Sequence, residues 1–188
     1  AETRAFNSDF AQPVQNAETI RLGVNVALEQ YDDATLERRL ADLAAAGVTQ
    51  ARQEFRWADI EPARGARDWR AADRIVAAAR RHNVQLLAVL WTTPAWARAP
   101  SGSEAFPAIE TAPPADPADF ASFTGAFAAR YATPGCDALR RGCAILAYQI
   151  WDEPNLSSAW GNALINPGEY LRLLKAARSA IRASDAQA

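Results

Sequence analysis

Beyond residue 20 the chain alternates between two hydrophobic rhythms. Short apolar runs are each followed by a longer stretch in which apolar residues return every three or four positions. The first rhythm suits a buried strand and the second an amphipathic helix, so the repeat predicts βα units around a parallel sheet. Four units are legible, with strands predicted over 20–26, 48–55, 84–90 and 144–150. After the first strand, Leu36, Leu40 and Leu43 share a helix face, and Gly47 suits a left-handed stop. After the second, a helix over 71–82 turns Ile75, Val76 and Ala79 inward and ends at Asn83. The third helix opens at Asp116 and Pro117 and aligns Phe120, Phe123, Phe127 and Tyr131 as one core stripe. Asn166, Pro167 and Glu169 open the last, where Tyr170, Leu174, Ala177 and Ile181 recur at helical spacing. Residues 1–19 mix Asn, Ser, Asp, Gln and Pro with no sustained period, and are expected to form an extended N-terminal arm on a domain spanning 20–188.

Composition narrows what such a domain can do. With 188 residues, 49% hydrophobic and 22% charged, the chain has material for the core of one globular domain. A net charge of -2, with acids and arginines interspersed, offers no basic run to neutralise phosphates, so no nucleic acid partner is expected. Apolar runs such as 86–90 fall far short of the ~20 residues of a spanning helix, and no transmembrane segment is expected. The chain contains no methionine, which predicts that it is cut from a longer precursor, for example by removal of a signal peptide. Cys136 and Cys143 flank a polar turn holding Gly135, Asp137, Arg140, Arg141 and Gly142, a spacing that can close a small disulfide loop. A closed bridge implies a secreted or extracytoplasmic location; the alternative is two reduced surface thiols. His82 is the only histidine and suits a helix end, so no metal and no other cofactor are expected.

Chemistry concentrates at one end of the predicted strands. In parallel α/β folds the loops after the strand C-termini converge on one mouth. The first strand ends at Asn25, and the second passes Arg52 and Glu54 to reach Trp57. The third runs into Trp91-Thr92-Thr93-Pro94-Ala95-Trp96, and the fourth into Asp152 and Glu153. Alternation puts Arg52 and Glu54 on one face, where a mid-strand charge needs a partner, and an ion pair between them is expected. Asp152 and Glu153 read either as reactive carboxylates or as an acidic loop after a buried strand.

The motifs Gly23-Val24-Asn25, Arg52-Gln53-Glu54-Phe55-Arg56-Trp57 with Ile60-Glu61-Pro62, Thr93-Pro94-Ala95-Trp96 and Tyr148-Gln149-Ile150-Trp151-Asp152-Glu153-Pro154-Asn155 resemble the catalytic domain of clan A glycoside hydrolases, nearest to family 39-like and family 5-like enzymes. The resemblance implies an α/β fold, the (β/α)₈ TIM barrel, of which this chain holds only the first four βα units. It makes Glu153 the general acid/base and gives Arg52 the task of orienting the nucleophile's carboxylate. In that family an asparagine precedes the acid/base and hydrogen-bonds the sugar 2-hydroxyl; here Asp152 occupies the position. An aspartate accepts a hydrogen bond but cannot donate one, and it sets a second carboxylate beside Glu153, which raises a pKa within the pair. The family's nucleophile ends a seventh strand, which four units do not contain.

The implied activity is retaining hydrolysis of O-glycosyl bonds in a polysaccharide or glycoconjugate, with this chain supplying the acid/base half and inactive alone. Asn25, Glu54, Trp57, Trp91, Trp96, Trp151, Asn155 and Trp160 are the candidate sugar contacts, the tryptophans by their flat faces; tryptophans are also ordinary core residues, so two or three of the five are expected to serve. Trp69 reads as packing. The implied partners are a carbohydrate substrate and a complementary barrel half, or another chain, covering the open sheet edges. The alternative is a catalytically inactive TIM-barrel-like carbohydrate-binding or structural subunit of a larger assembly.

Overall fold

The structure, a computed structural model, describes residues 21–99, 109–133, 140 and 142–188. The expected arm over 1–19 lies outside the described residues. Four strands, β1 (Leu22–Val26), β2 (Val48–Arg56), β3 (Gln85–Trp91) and β4 (Ile145–Ile150), form one sheet in sequence order. Every neighbouring pair is parallel. The helices are α1 (Asp33–Ala45), the short α2 (Trp57–Ile60), α3 (Arg70–Arg81), α4 (Pro117–Tyr131) and α5 (Pro167–Ser184).

Local signals account for these boundaries. The Asp32 carboxylate caps α1 by accepting from the Thr35 N–H at 2.7 Å. Asp116 does the same for Ala118 at 2.9 Å, and the Asn166 side chain accepts from the Gly168 and Glu169 N–H groups at 3.1 and 3.3 Å. At the other ends, Gly47 (φ 79°) and Asn83 (φ 55°) make the expected left-handed stops.

Parallel register gives each face of the sheet a distinct character. Asn25 lies opposite Arg52 and Arg52 opposite Leu87, while Glu54 lies opposite Val89 and Val89 opposite Gln149. These rows form the inner face. The alternate residues Ala51, Phe55, Leu86, Ala88 and Leu90 are buried in the core. Phe55 meets Phe127 of α4 edge-on at 4.9 Å, and Trp57 stacks on Phe123 at 5.7 Å, so the predicted aromatic stripe is core. Trp69 joins it, stacked on Phe123 at 6.2 Å.

Helices α4 and α5 approach closely at Gly125, where an added Cβ would lie 3.2 Å from Ala180 Cβ. Gly125→Val is therefore expected to cost about 1–3 kcal/mol by overpacking. Urea denaturation reads it directly; a midpoint equal to wild type would mean that the two helices separate freely.

The predicted cysteine turn is more buried than its polar composition suggests. Arg140, expected on a polar turn, is 8% exposed because its guanidinium is clamped on Asp185 at 2.6 and 2.7 Å. Cys143 is 3% exposed, packed beneath β3 and β4 where the Gln85 amide donates to its carbonyl at 3.0 Å. The expected disulfide also involves Cys136, which lies outside the described residues.

Among the described residues no strand pairs with the outer edge of β1 or of β4. Beside β4 runs a groove of about 280 Å³, lined by Tyr148, Ile150, Leu174 and Ile181 with Arg178 and Arg182 at its rim. No helix among the described residues is long and apolar enough to cross a membrane.

Candidate active site

The backbone departs from regular geometry where the strands end. Thr92 after β3 has φ 64°, and Trp151 and Glu153 after β4 have φ 69° and 44°. Left-handed backbone costs a non-glycine residue roughly 1–3 kcal/mol and persists where surroundings impose it, often at functional sites. At Thr92 the hydroxyl accepts from the Ala58 N–H at 3.2 Å, tying β3 to α2. At Trp151 the buried indole donates to the Ala159 carbonyl at 2.7 Å. Glu153 is thereby turned outward: its side chain is exposed and, among the described residues, has no hydrogen-bond partner.

Arg52 organises the inner face. β2 and β4 stand about 10 Å apart with β3 between them, and the Arg52 side chain spans that gap to reach residues at the end of β4. Its Nε donates to Gln149 Oε1 at 3.0 Å and its Nη2 to Asp152 Oδ1 at 2.5 Å. Gln149 in turn donates to the Trp151 carbonyl at 2.9 Å and to Asp152 Oδ1 at 3.3 Å. Glu54 shares the face, as alternation predicts, but its Oε1 sits 4.0 Å from Arg52 Nη1. Asp152, from the end of β4, is the closer counter-ion.

Among the described residues, the carboxyl with a raised pKa is Glu54. Burial is the main cause, the neighbouring Asp152 charge adds to it, and Arg52 opposes both. Asp152 is held by Arg52, and its charge bears on Glu54 from across the sheet.

Buried polar groups hold this surface in place. Gln53, fully buried, accepts from the Leu28 N–H at 2.8 Å and donates to Glu29 at 2.8 Å, pinning the turn after β1. Glu61, 2% exposed, accepts from the Trp57 indole at 2.9 Å, the Gly65 N–H at 2.7 Å and Arg67 at 3.0 Å. The Ile60-Glu61-Pro62 motif is thus a structural staple. Sequence reasoning singled out neither Gln53 nor Gln149, although an amide inside an apolar strand is a readable signal that its backbone or side-chain neighbours need a partner.

Three candidate sugar platforms are corrected by their burial. Trp57, Trp151 and Trp160 are 0, 0 and 1% exposed, so no face of their rings is open. Trp57 lies under Trp96 and α4, and Trp151 is edge-on to Phe120 at 5.8 Å and Trp160 at 5.4 Å. Trp96 is half-buried, but Arg64 covers its ring at 4.3 Å and its indole donates to the Glu61 carbonyl. Trp91 remains half-buried at the mouth, with Glu54 on one side and Arg56 5.8 Å from its ring centre. Asn25 and Asn155 are exposed, and a hollow of about 200 Å³ on the inner face joins Asn25 to Gln50, Arg52 and Leu87. A larger cavity of about 530 Å³ lies at the opposite end of the strands, around Thr49, Asn83 and Gly142, away from every group just described.

Similarity to solved structures fits this arrangement. A family 39 glycoside hydrolase from Bacteroides cellulosilyticus superimposes at TM-score 0.61 and 21% identity over 88% of this chain, which spans 30% of that protein. The fold is a partial TIM barrel, four parallel βα units like those of these neighbours. A family 39 enzyme from Xanthomonas axonopodis matches at TM-score 0.63 and 22% identity, over 88% of this chain and 33% of that one. An endoglucanase from Pseudomonas stutzeri matches at 0.55 and 14%, over 88% and 46%. The chain therefore spans about a third to a half of the length of these neighbours. No protein-family model and no curated protein matches the sequence.

Proposed function

We propose that this chain is the acid/base half of a retaining glycoside hydrolase acting on a polysaccharide or glycoconjugate. The observation that supports it best is Glu153, exposed on left-handed backbone at the C-terminal end of β4 beside the Arg52–Gln149–Asp152 network. Glycosidic cleavage needs a proton for a poor alkoxide leaving group and charge stabilisation at an oxocarbenium-like centre. Glu153 donates that proton to the glycosidic oxygen as the C–O bond breaks. A second carboxylate, from a complementary half, attacks the anomeric carbon, and Glu153 then takes a proton from the water that releases the sugar. Closure of the barrel over the apolar groove beside β4 supplies that half, and export to an oxidising compartment accords with a Cys136–Cys143 bridge.

A second reading has an observation of its own. Asp152 already neutralises Arg52 without any second carboxylate, which suits a subunit that binds carbohydrate and turns nothing over. Incubating the full-length parent with aryl and oligosaccharide glycosides, and following anomers by proton NMR, separates the two. Turnover with the same anomer appearing first is the expected result; saturable sugar binding with no hydrolysis of any substrate would replace the first reading by the second.

A further inference from the structure

We propose that Asp152 is a positioning residue that acts through Arg52, an inference that rests on the barrel-mouth reading above. Its Oδ1 is already taken, receiving Arg52 Nη2 at 2.5 Å and Gln149 Nε2 at 3.3 Å. Gln149 Oε1 holds the same guanidinium at Nε, and the Gln149 amide is itself fixed on the Trp151 carbonyl. Arg52 is therefore gripped twice from β4, on a base of strained backbone that cannot shift without moving the buried Trp151. A neutral amide at position 152 would accept from Arg52 without the charge that makes such a bond roughly twice as strong.

The groups facing Arg52 decide where it would go otherwise. Glu54 shares its strand at 4.0 Å, and Trp91 lies beside Glu54 on β3. With the Asp152 charge gone, Glu54 is the nearest remaining anion, and the guanidinium swings toward it. Arg52 then leaves the position from which it would orient a carboxylate delivered by a complementary half. The departure from the family's asparagine is thus a built-in counter-ion for Arg52.

Asp152→Asn in the parent protein tests this, with two readouts. Carboxyl carbon-13 NMR without substrate follows the Glu54 titration. Its midpoint falls in Asp152→Asn, because a nearby anion is removed and Arg52 approaches, and rises in Arg52→Gln, because a cation is removed. In turnover, kcat falls on the order of 10²-fold with KM little changed, as for a misplaced orienting group. A Glu54 midpoint that stays put in Asp152→Asn, or a kcat that equals or exceeds wild type, overturns the proposal and returns Asp152 to the sugar, where an amide serves at least as well. Should the wild-type parent prove unable to hydrolyse any glycoside, the proposed function fails while the Glu54 midpoint still decides the role of Asp152. Thermal melting of both variants verifies that the fold is intact.

Discussion

Glu153→Gln in the parent protein is expected to slow hydrolysis of an alkyl-linked glycoside by about 10²–10⁴-fold, the usual worth of a positioned general acid. The effect depends on the leaving group. An alkoxide must be protonated as the bond breaks, whereas a nitrophenolate departs unaided, so the first step on a nitrophenyl glycoside should be far less affected. Nothing structural accompanies the change: the Glu153 side chain has no hydrogen-bond partner among the described residues, and glutamine inherits the same left-handed backbone at φ 44°. Stability should stay within about 0.5 kcal/mol of wild type, as for other unpartnered surface positions. The value of kcat/KM on the paired substrates, which reports the first step, checks it. Equal activity of Glu153→Gln and wild type on the alkyl glycoside would remove Glu153 from the mechanism.

The parts of this fold that were legible in the sequence are those set by local pattern. Strand and helix limits fall within a residue or two of expectation: the helix predicted over 71–82 is Arg70–Arg81, and the strand over 48–55 is Val48–Arg56. Caps at Asp116 and Asn166 and stops at Gly47 and Asn83 followed from side-chain chemistry alone. What escaped depends on distant partners. Arg52 could be given a face by alternation, but its choice of Asp152 over Glu54 required knowing that the end of β4 lies within reach across β3. Which of the tryptophans turn inward escaped for a similar reason. A strand-end tryptophan looks the same in sequence whether it faces the mouth or folds back on the helices, and α4 supplied enough aromatic surface to draw Trp57 and Trp151 inward. Arg140 was misjudged because a turn rich in Gly, Asp and Arg normally faces water, and its partner lies 45 residues on.

That partnership carries the largest stability effect expected of a single change. Asp185→Ala should destabilise the chain by roughly 3–5 kcal/mol, because it strands a buried charge. The Arg140 and Asp185 side chains are 9 and 7% exposed, their two guanidinium–carboxylate bonds are 2.6 and 2.7 Å long, and Arg140 Nη2 also donates to the Ile145 carbonyl at 2.8 Å. Tyr148 donates its hydroxyl to the same carboxylate at 3.0 Å, so the substitution orphans donors on both Arg140, just before β4, and Tyr148, within it. Arg140→Ala combined with Asp185→Ala should be less damaging than Asp185→Ala alone, since no unpaired charge remains. The pH dependence follows from the direction of the Asp185 shift. Arg140 holds its folded pKa below the ordinary value, so its contribution is complete above the unfolded pKa near 3.9 and is lost as pH falls through the lower folded value. Urea denaturation between neutral and acid pH measures both effects. The wild-type midpoint should drop below about pH 4 and the Asp185→Ala midpoint should lack that component; a neutral-pH loss under about 1 kcal/mol would mean that water screens the pair as it screens surface bridges.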